Sequence, residues 1–333
     1  MKIGVVGAGS WGTALAHLLA TKGNPVVLWH RDPSVAHAIN STHKNPKYLK
    51  DVRLPDSITG TIVLDEAIED QELVVSVVPS HAVREVIGRA AKQFGPDTLL
   101  VSASKGIENE TLLTMHGVFK EILPEKMWPR VTFLGGPSFA REVAMGLPTA
   151  VSVAAEDIAA AKRVQAAFAA PYMRAYTTSD VMGIELGGAI KNVLAIAAGI
   201  SEGLQFGHNA RAALITRGLA EMARLGMKMG ANPLTFAGLG GLGDLILTAT
   251  GDLSRNRKVG LLLGQGKTLA QIREEMDQVA EGIKTAVSAE HLSRKLGIEM
   301  PLCHAVYSIL YENKNARQVV VELMTRELKD EIS

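Results

Sequence analysis

The feature that most constrains this chain lies at its start, where the apolar run Ile3-Gly4-Val5-Val6 meets Gly7-Ala8-Gly9-Ser10-Trp11-Gly12, and Thr13-Ala14-Leu15-Ala16 continues with helical character. A strand that turns into a helix over GxGxxG needs glycine at three places for three reasons. Gly7 permits the tight turn, Gly9 lets backbone approach a ligand, and Gly12 lets the helix pack closely on the turn. The first N–H groups of that helix point outward unpaired, which suits a pyrophosphate. The competing reading is a glycine turn that serves structure alone.

The first half continues the alternation. Strands are expected at Lys2-Val6, Val26-Trp29, Leu73-Val77, Leu99-Ser102, Val131-Leu134, Thr149-Val153 and Met173-Thr177, and helices at Gly12-Lys22, His81-Gln93 and Leu112-Ile122. Such units predict a parallel sheet wrapped by helices. From about Asp180 the alternation stops, and helical spacing runs through Val181-Glu202, Ala210-Met229, Val259-Leu263, Lys284-Leu296, Pro301-Tyr311 and Ala316-Thr325. The expected architecture is α/β: an N-terminal Rossmann-type doubly wound sheet over residues 1–180, then an all-α C-terminal domain over residues 181–333. A length of 333 residues exceeds what one hydrophobic core usually serves and agrees with two domains.

Lys+Arg 35 against Asp+Glu 34 leaves a formal charge of +1, so no broad basic field exists for nucleic acid or anionic lipid. Any anion must be bound locally. The single cysteine, Cys303, excludes an internal disulfide and a cysteine-rich zinc cluster, which fits a reducing compartment. The chain opens into a strand without a signal-peptide pattern, and charges are read as interrupting every apolar stretch short of about 18 residues. A soluble cytoplasmic protein without membrane insertion or metal is expected.

Several residues carry chemistry. After Trp29, where a dinucleotide's ribose is met, both Arg31 and Asp32 occur. Arginine there favours the 2′-phosphate of NADP and an acid the ribose hydroxyls of NAD, but Asp32 before Pro33 also reads as a helix cap, so Arg31 takes the cofactor role. Lys105, among small residues after a strand, reads either as a ligand contact or as a surface lysine. Lys191 is the only cation between Glu185 and Glu202 in an apolar, glycine-rich helix. A lysine in so dry a setting is costly unless it is paired, with Glu185 or Asp244, or works as an acid/base group. Asp244 either caps the short helix that follows it or orients Lys191, and Thr248 lies one turn further on. Ser254-Arg255-Asn256-Arg257 at a helix start suits a phosphate dianion, or else is a solvated basic turn.

With these motifs in order, the chain resembles the NAD(P)-dependent glycerol-3-phosphate dehydrogenases of bacterial type over nearly its full length. Gly188 to Asn209, GAIKNVLAIAAGISEGLQFGHN, is similar to that family's signature without a break. Leu134 to Val143 with Gly146 to Ala150, Gly241 to Leu245, Ser254 to Arg257 and Val279 to Gly282 also match. The resemblance implies Lys191 as proton donor and acceptor, with Lys105, Gly136, Ser138, Asp244, Ser254, Arg255 and Asn256 around the substrate. It implies Ser10, Trp11, Arg31, Lys105, Ala140, Arg255, Val279 and Glu281 at the cofactor beside Gly7, Gly9 and Gly12, with His30 and Tyr48 as further candidates. It also implies NADPH/NADP as preferred cofactor with NADH/NAD as the alternative, dihydroxyacetone phosphate and glycerol 3-phosphate as the substrate pair, a homodimer, and a product that feeds glycerophospholipid synthesis. The family often has alanine or serine at the position of Gly240 and cysteine at that of Ala249, and neither departure removes a functional side chain.

The residues agree with that chemistry. Hydride arriving at a ketone creates an alkoxide, which needs a nearby cation and a proton, and Lys191 supplies both. No HExxH pair occurs and no tyrosine is followed four residues later by lysine, which argues against zinc-type and short-chain dehydrogenase chemistry. Two rivals remain: a lysine-dependent reductase of a hydroxy acid, disfavoured by the phosphate-type cluster, and a silent NADP-binding sensor, disfavoured by Lys191 beside Asn192.

Overall fold

The computed structural model describes residues 1–276, 280–328, 330 and 331. The chain divides into two compact units, one of residues 1–188 and 230–244, the other of residues 189–229 and 245 onward. In the first unit the strands are, in chain order, β1 (Ile3–Val6), β2 (Val26–Trp29), β3 (Lys44–Asn45), β4 (Leu49–Arg53), β5 (Ile58–Thr61), β6 (Leu73–Ser76), β7 (Leu99–Ser102), β8 (Val131–Gly135), β9 (Thr149–Ala154) and β10 (Met173–Thr178).

Eight of these form one sheet in the order β10-β9-β8-β7-β6-β1-β2-β5, and β3 pairs only with β4. The run β5-β2-β1-β6-β7-β8 is parallel throughout and follows the 3-2-1-4-5-6 order of the doubly wound dinucleotide fold. Side chains alternate between two cores. Ile3 and Val5 join Leu15 and Leu18 on one face, while Val6, Val74 and Leu100 join Ile87 and Phe119 on the other. That two-sided burial is why these strands read as unbroken apolar runs.

Two expectations need correction here. The sheet is not wholly parallel: β9 runs antiparallel to β8. The segment joining them holds only the helix Ala140–Ala144, less than the long helical crossover that parallel neighbours require. The expected strands also omit β5 and the β3–β4 hairpin. Strand β5 is Ile-Thr-Gly-Thr at a sheet edge, and its Gly60 is needed because a Cβ there would lie 2.8 Å from the Ala36 carbonyl oxygen.

The second unit is helical, with Gly207–Lys228, Arg255–Gly264, Leu269–Glu275, Glu281–Leu296, Pro301–Tyr311 and Ala316–Met324. The helix Val181–Gly203 begins in the first unit and contributes its residues from Ala189 onward to the second. There it packs backbone to backbone on Arg255–Gly264 through four glycines. A Cβ at Gly199 would lie 2.0 Å from Arg257 O, one at Gly203 2.4 Å from Leu261 O, one at Gly260 2.0 Å from Ile196 O, and one at Gly264 2.5 Å from Ile200 O. Each helix thus carries glycines four residues apart where the two approach, a spacing that permits such contact.

Among the described residues this same helix, Val181–Gly203, is long and apolar enough by length and composition to cross a membrane, which corrects the expectation that charges interrupt every such stretch. Ninety-four per cent of its apolar window is buried inside the protein, so its apolarity is that of a core helix.

Candidate active site

The glycine turn of the first unit has the shape its spacing predicts. Gly7 has φ +116°, and a Cβ there would press on Val77 O at 2.9 Å. Gly12 lies so close under the turn that a Cβ would meet Gly7 O at 1.8 Å. Gly9 differs from both, since a Cβ there would find nothing within 4 Å. It precedes the helix Ser10–Thr21 with no side-chain cap, so the first-turn N–H groups face that open space as donors. This cradle fits a dinucleotide's pyrophosphate.

The hairpin β3–β4 is fastened beside the turn by Asn45, which is fully buried. Its Nδ2 donates to Ala8 O at 2.9 Å and to Thr13 Oγ1 at 2.8 Å, and its Oδ1 accepts from Tyr48 N at 3.3 Å. Ser10 Oγ adds a bond to Tyr48 O at 3.0 Å. Tyr48 therefore stands by the loop after β2, its ring 5.6 Å from that of His30. Burial lowers the His30 pKa, and its Nδ1 accepts from Asp32 N at 3.0 Å. Sequence reasoning missed Asn45; a lone asparagine before a tyrosine carries no pattern.

Asp32 is the cap of Pro33–Thr42, its Oδ1 accepting from Ser34 N at 3.0 Å, while its Oδ2 holds Lys47 Nζ at 3.2 Å. Hydrogen bonds from Ser34, then Lys47, hold its carboxyl down to about 2. Arg31 beside it is exposed.

At the far ends of β7 and β8 a second cluster forms. Lys105 is not a surface lysine, being 16% exposed with its Nζ 2.8 Å from Asp244 Oδ2. Gly136, at φ +115°, turns its carbonyl toward Lys105 Nζ at 3.5 Å and accepts from Ser138 Oγ at 3.0 Å. Asp244 has helical backbone at the start of Asp244–Thr250, not the extended backbone typical of a cap. Ala140 opens the short helix after Ser138. Glu185, one partner proposed for Lys191, is engaged elsewhere: its Oε1 accepts from His116 N at 2.9 Å.

In the second unit, Lys191 is buried and donates to Thr248 Oγ1 at 3.0 Å. Its neighbour Asn192 accepts from Asn256 Nδ2 at 2.9 Å, and Asn256 Oδ1 accepts from Gly282 N at 2.9 Å. Asn256 is thereby fixed. Ser254 caps Arg255–Gly264, accepting from Arg257 N at 3.2 Å. Arg257 is spent on Glu202 at 2.7 Å and Asp252 at 2.9 Å, whereas Arg255 is exposed at the helix start. Glu281 opens Glu281–Leu296, and Val279 lies outside the described residues.

Family models described as the N-terminus and the C-terminus of NAD-dependent glycerol-3-phosphate dehydrogenase match residues 2–161 and 180–321. The NAD(P)+ glycerol-3-phosphate dehydrogenase of Citrifermentans bemidjiense is 55% identical over 330 residues, covering 99% of this chain and 98% of its own. That of Myxococcus xanthus is 51% identical over 333 residues, covering 100% and 99%. A crystal structure of glycerol-3-phosphate dehydrogenase from Coxiella burnetii superposes with TM-score 0.93 at 39% identity, over 98% of this chain and 99% of that one. Full-length matches in sequence and in fold therefore agree with the glycine cradle and the lysine helix: the chain belongs to the NAD-dependent glycerol-3-phosphate dehydrogenase family.

Proposed function

We propose that this chain reduces dihydroxyacetone phosphate to sn-glycerol 3-phosphate and runs the reverse reaction, with Lys191 as proton donor in one direction and acceptor in the other. NADPH, in preference to NADH, supplies the hydride when bound. The observation that carries the reading is a buried lysine hydrogen-bonded to Thr248 Oγ1, next to an asparagine that organises a helix start presenting Arg255.

As the carbonyl carbon gains its new hydrogen with two electrons, the C=O π pair moves onto oxygen. Lys191 Nζ stabilises that alkoxide and gives it a proton, which solvent later returns to the amine. Arg255, the Asn256 amide and the Ser254 hydroxyl bind the substrate phosphate. That anchorage holds the small ketone in place, so the phosphate's binding energy serves orientation. Lys105 with Asp244, Gly136 and Ser138 completes the substrate contacts.

For the cofactor, Gly7, Gly9 and Gly12 with the N–H groups of Ser10 and Trp11 take the pyrophosphate. Arg31 takes the 2′-phosphate beside His30 and Tyr48, and Ala140, Lys105, Arg255 and Glu281 are further contacts. On this reading residues 1–180 act as the dinucleotide domain and residues 181–333 as the substrate domain of a cytoplasmic homodimer serving glycerophospholipid synthesis. Oxidation of NADPH by the purified protein tests the proposal, with dihydroxyacetone phosphate compared against dihydroxyacetone. Rapid turnover of the phosphate ester alone is expected; equal rates with both ketones would overturn the phosphate assignment, and no turnover with either would overturn the function.

A further inference from the structure

We propose that Glu185 is a positioning residue for Lys105, acting through one water held in the small cavity between them. The proposal rests on reading Lys105 as a substrate-binding residue. The cavity measures about 10 Å³ and is lined by Ser102, Ser104, Lys105, Phe133, Glu185 and Gly188, among others. That is about the smallest volume that holds a water. Two of its lining residues carry a buried polar atom without a partner among the described residues, Glu185 Oε2 and Ser102 Oγ. A cavity lined by orphaned polar atoms binds water, whereas truly empty cavities are apolar.

Another buried glutamate shows what a purely structural carboxyl looks like. Glu221 spends Oε1 on Leu302 N at 2.7 Å and Oε2 on Cys303 N at 3.2 Å, at the start of Pro301–Tyr311. Glu185 spends one oxygen in the same way, on His116 N, and leaves the second turned to the cavity.

Burial pushes the Glu185 carboxyl up to about 8, opposed by hydrogen bonding from Thr114, His116 and Met115 at the start of the helix Met115–Ile122. The cations around it are already matched. Lys105 is balanced by Asp244, and the His116 ring, its pKa lowered by burial, faces Glu156, which also holds Lys120. A neutral carboxyl donates its O–H to the water, whose own hydrogens then reach Ser102 Oγ and the remaining wall. Ionisation reverses that bond and puts a second negative charge beside Lys105, drawing the ammonium back from Asp244 and from substrate.

The test pairs a pH profile with infrared spectroscopy of the whole protein. In wild type, kcat/KM for dihydroxyacetone phosphate should fall about tenfold between pH 7 and pH 9, while Glu185→Gln should hold it within about threefold. A protonated-carboxyl band should be present at pH 7 in wild type, fade toward pH 9, and be missing in Glu185→Gln. Ser102→Ala should shift that band without removing it. An unchanged profile in Glu185→Gln, or no protonated band at pH 7, would overturn the proposal. Failure of the parent reading is distinct, since Lys105→Ala would then leave KM for dihydroxyacetone phosphate unchanged.

Discussion

A Cβ placed on Gly9 would meet nothing within 4 Å, whereas one placed on Gly260 would lie 2.0 Å from the Ile196 carbonyl oxygen. The first unit uses its glycine turn to leave room beside a row of N–H donors. The second uses Gly199, Gly203, Gly260 and Gly264 to remove room, locking the helix that carries Lys191 to the helix that carries Arg255. One residue type therefore leaves an open cradle in one region and makes a close-packed frame in the other. Substitutions should separate the two cleanly.

The largest expected effect belongs to the second region alone. Lys191→Ala should cut kcat by about 100-fold to 10,000-fold, the usual range for a positioned acid/base, with NADPH affinity near wild type. Steady-state kinetics beside a binding titration would show it, and a wild-type rate in the folded variant would leave Lys105 as the next candidate donor. Arg255→Ala follows, raising KM for dihydroxyacetone phosphate by about 100-fold through loss of a charge-assisted pair. An unchanged KM would dismiss the phosphate role.

Glycine substitutions sharpen the contrast itself. Gly260→Ala should cost about 2 kcal/mol of stability by overpacking, despite roughly 1 kcal/mol gained in helix propensity. Gly9→Ala should leave the melting temperature almost unmoved and weaken NADPH instead. If both variants lose stability equally, the open cradle is not open. Arg31→Ala comes next, with a loss on the order of tenfold in NADPH efficiency and little change with NADH. Equal weakening of both would make Arg31 structural.

The smallest effect concerns Glu221, whose carboxyl burial pushes up to about 7 against an ordinary 4.5. Below about pH 4.5 folded and unfolded forms are both protonated. Above it the unfolded form ionises first, so stability is lost as pH rises toward 7. Glu221→Gln should flatten that part of the curve. Denaturant midpoints at pH 4.5 and pH 7 would reveal a parallel curve if the carboxyl does not titrate there.

Much of this molecule was legible in the chain. Strands β2 and β7 and the helix Pro301–Tyr311 lie where their residues place them, because unbroken apolar runs and a proline at a helix start act locally. The glycine turn was legible for the same reason. Long-range partners were not. That β9 turns antiparallel to β8 depends on what lies between them, and Asn45 anchors the hairpin through Ala8 and Thr13, both more than thirty residues away. Glu185 as a partner for Lys191 failed on a count the sequence did allow: six residues apart on one helix, two side chains leave on different faces.

Asn45 also bears on how such a protein can change over time. Its amide secures the hairpin at the buried base, through Ala8 O and Thr13 Oγ1, and its Oδ1 holds the Tyr48 backbone N–H, while the side chains of the tip residues Lys47 and Tyr48 meet the loop after β2. The tip is thus an exchangeable cassette on a fixed mount: on the proposed reading, side-chain replacements at positions 47 and 48 would retune the adenosine end of the cofactor site without disturbing the glycine turn.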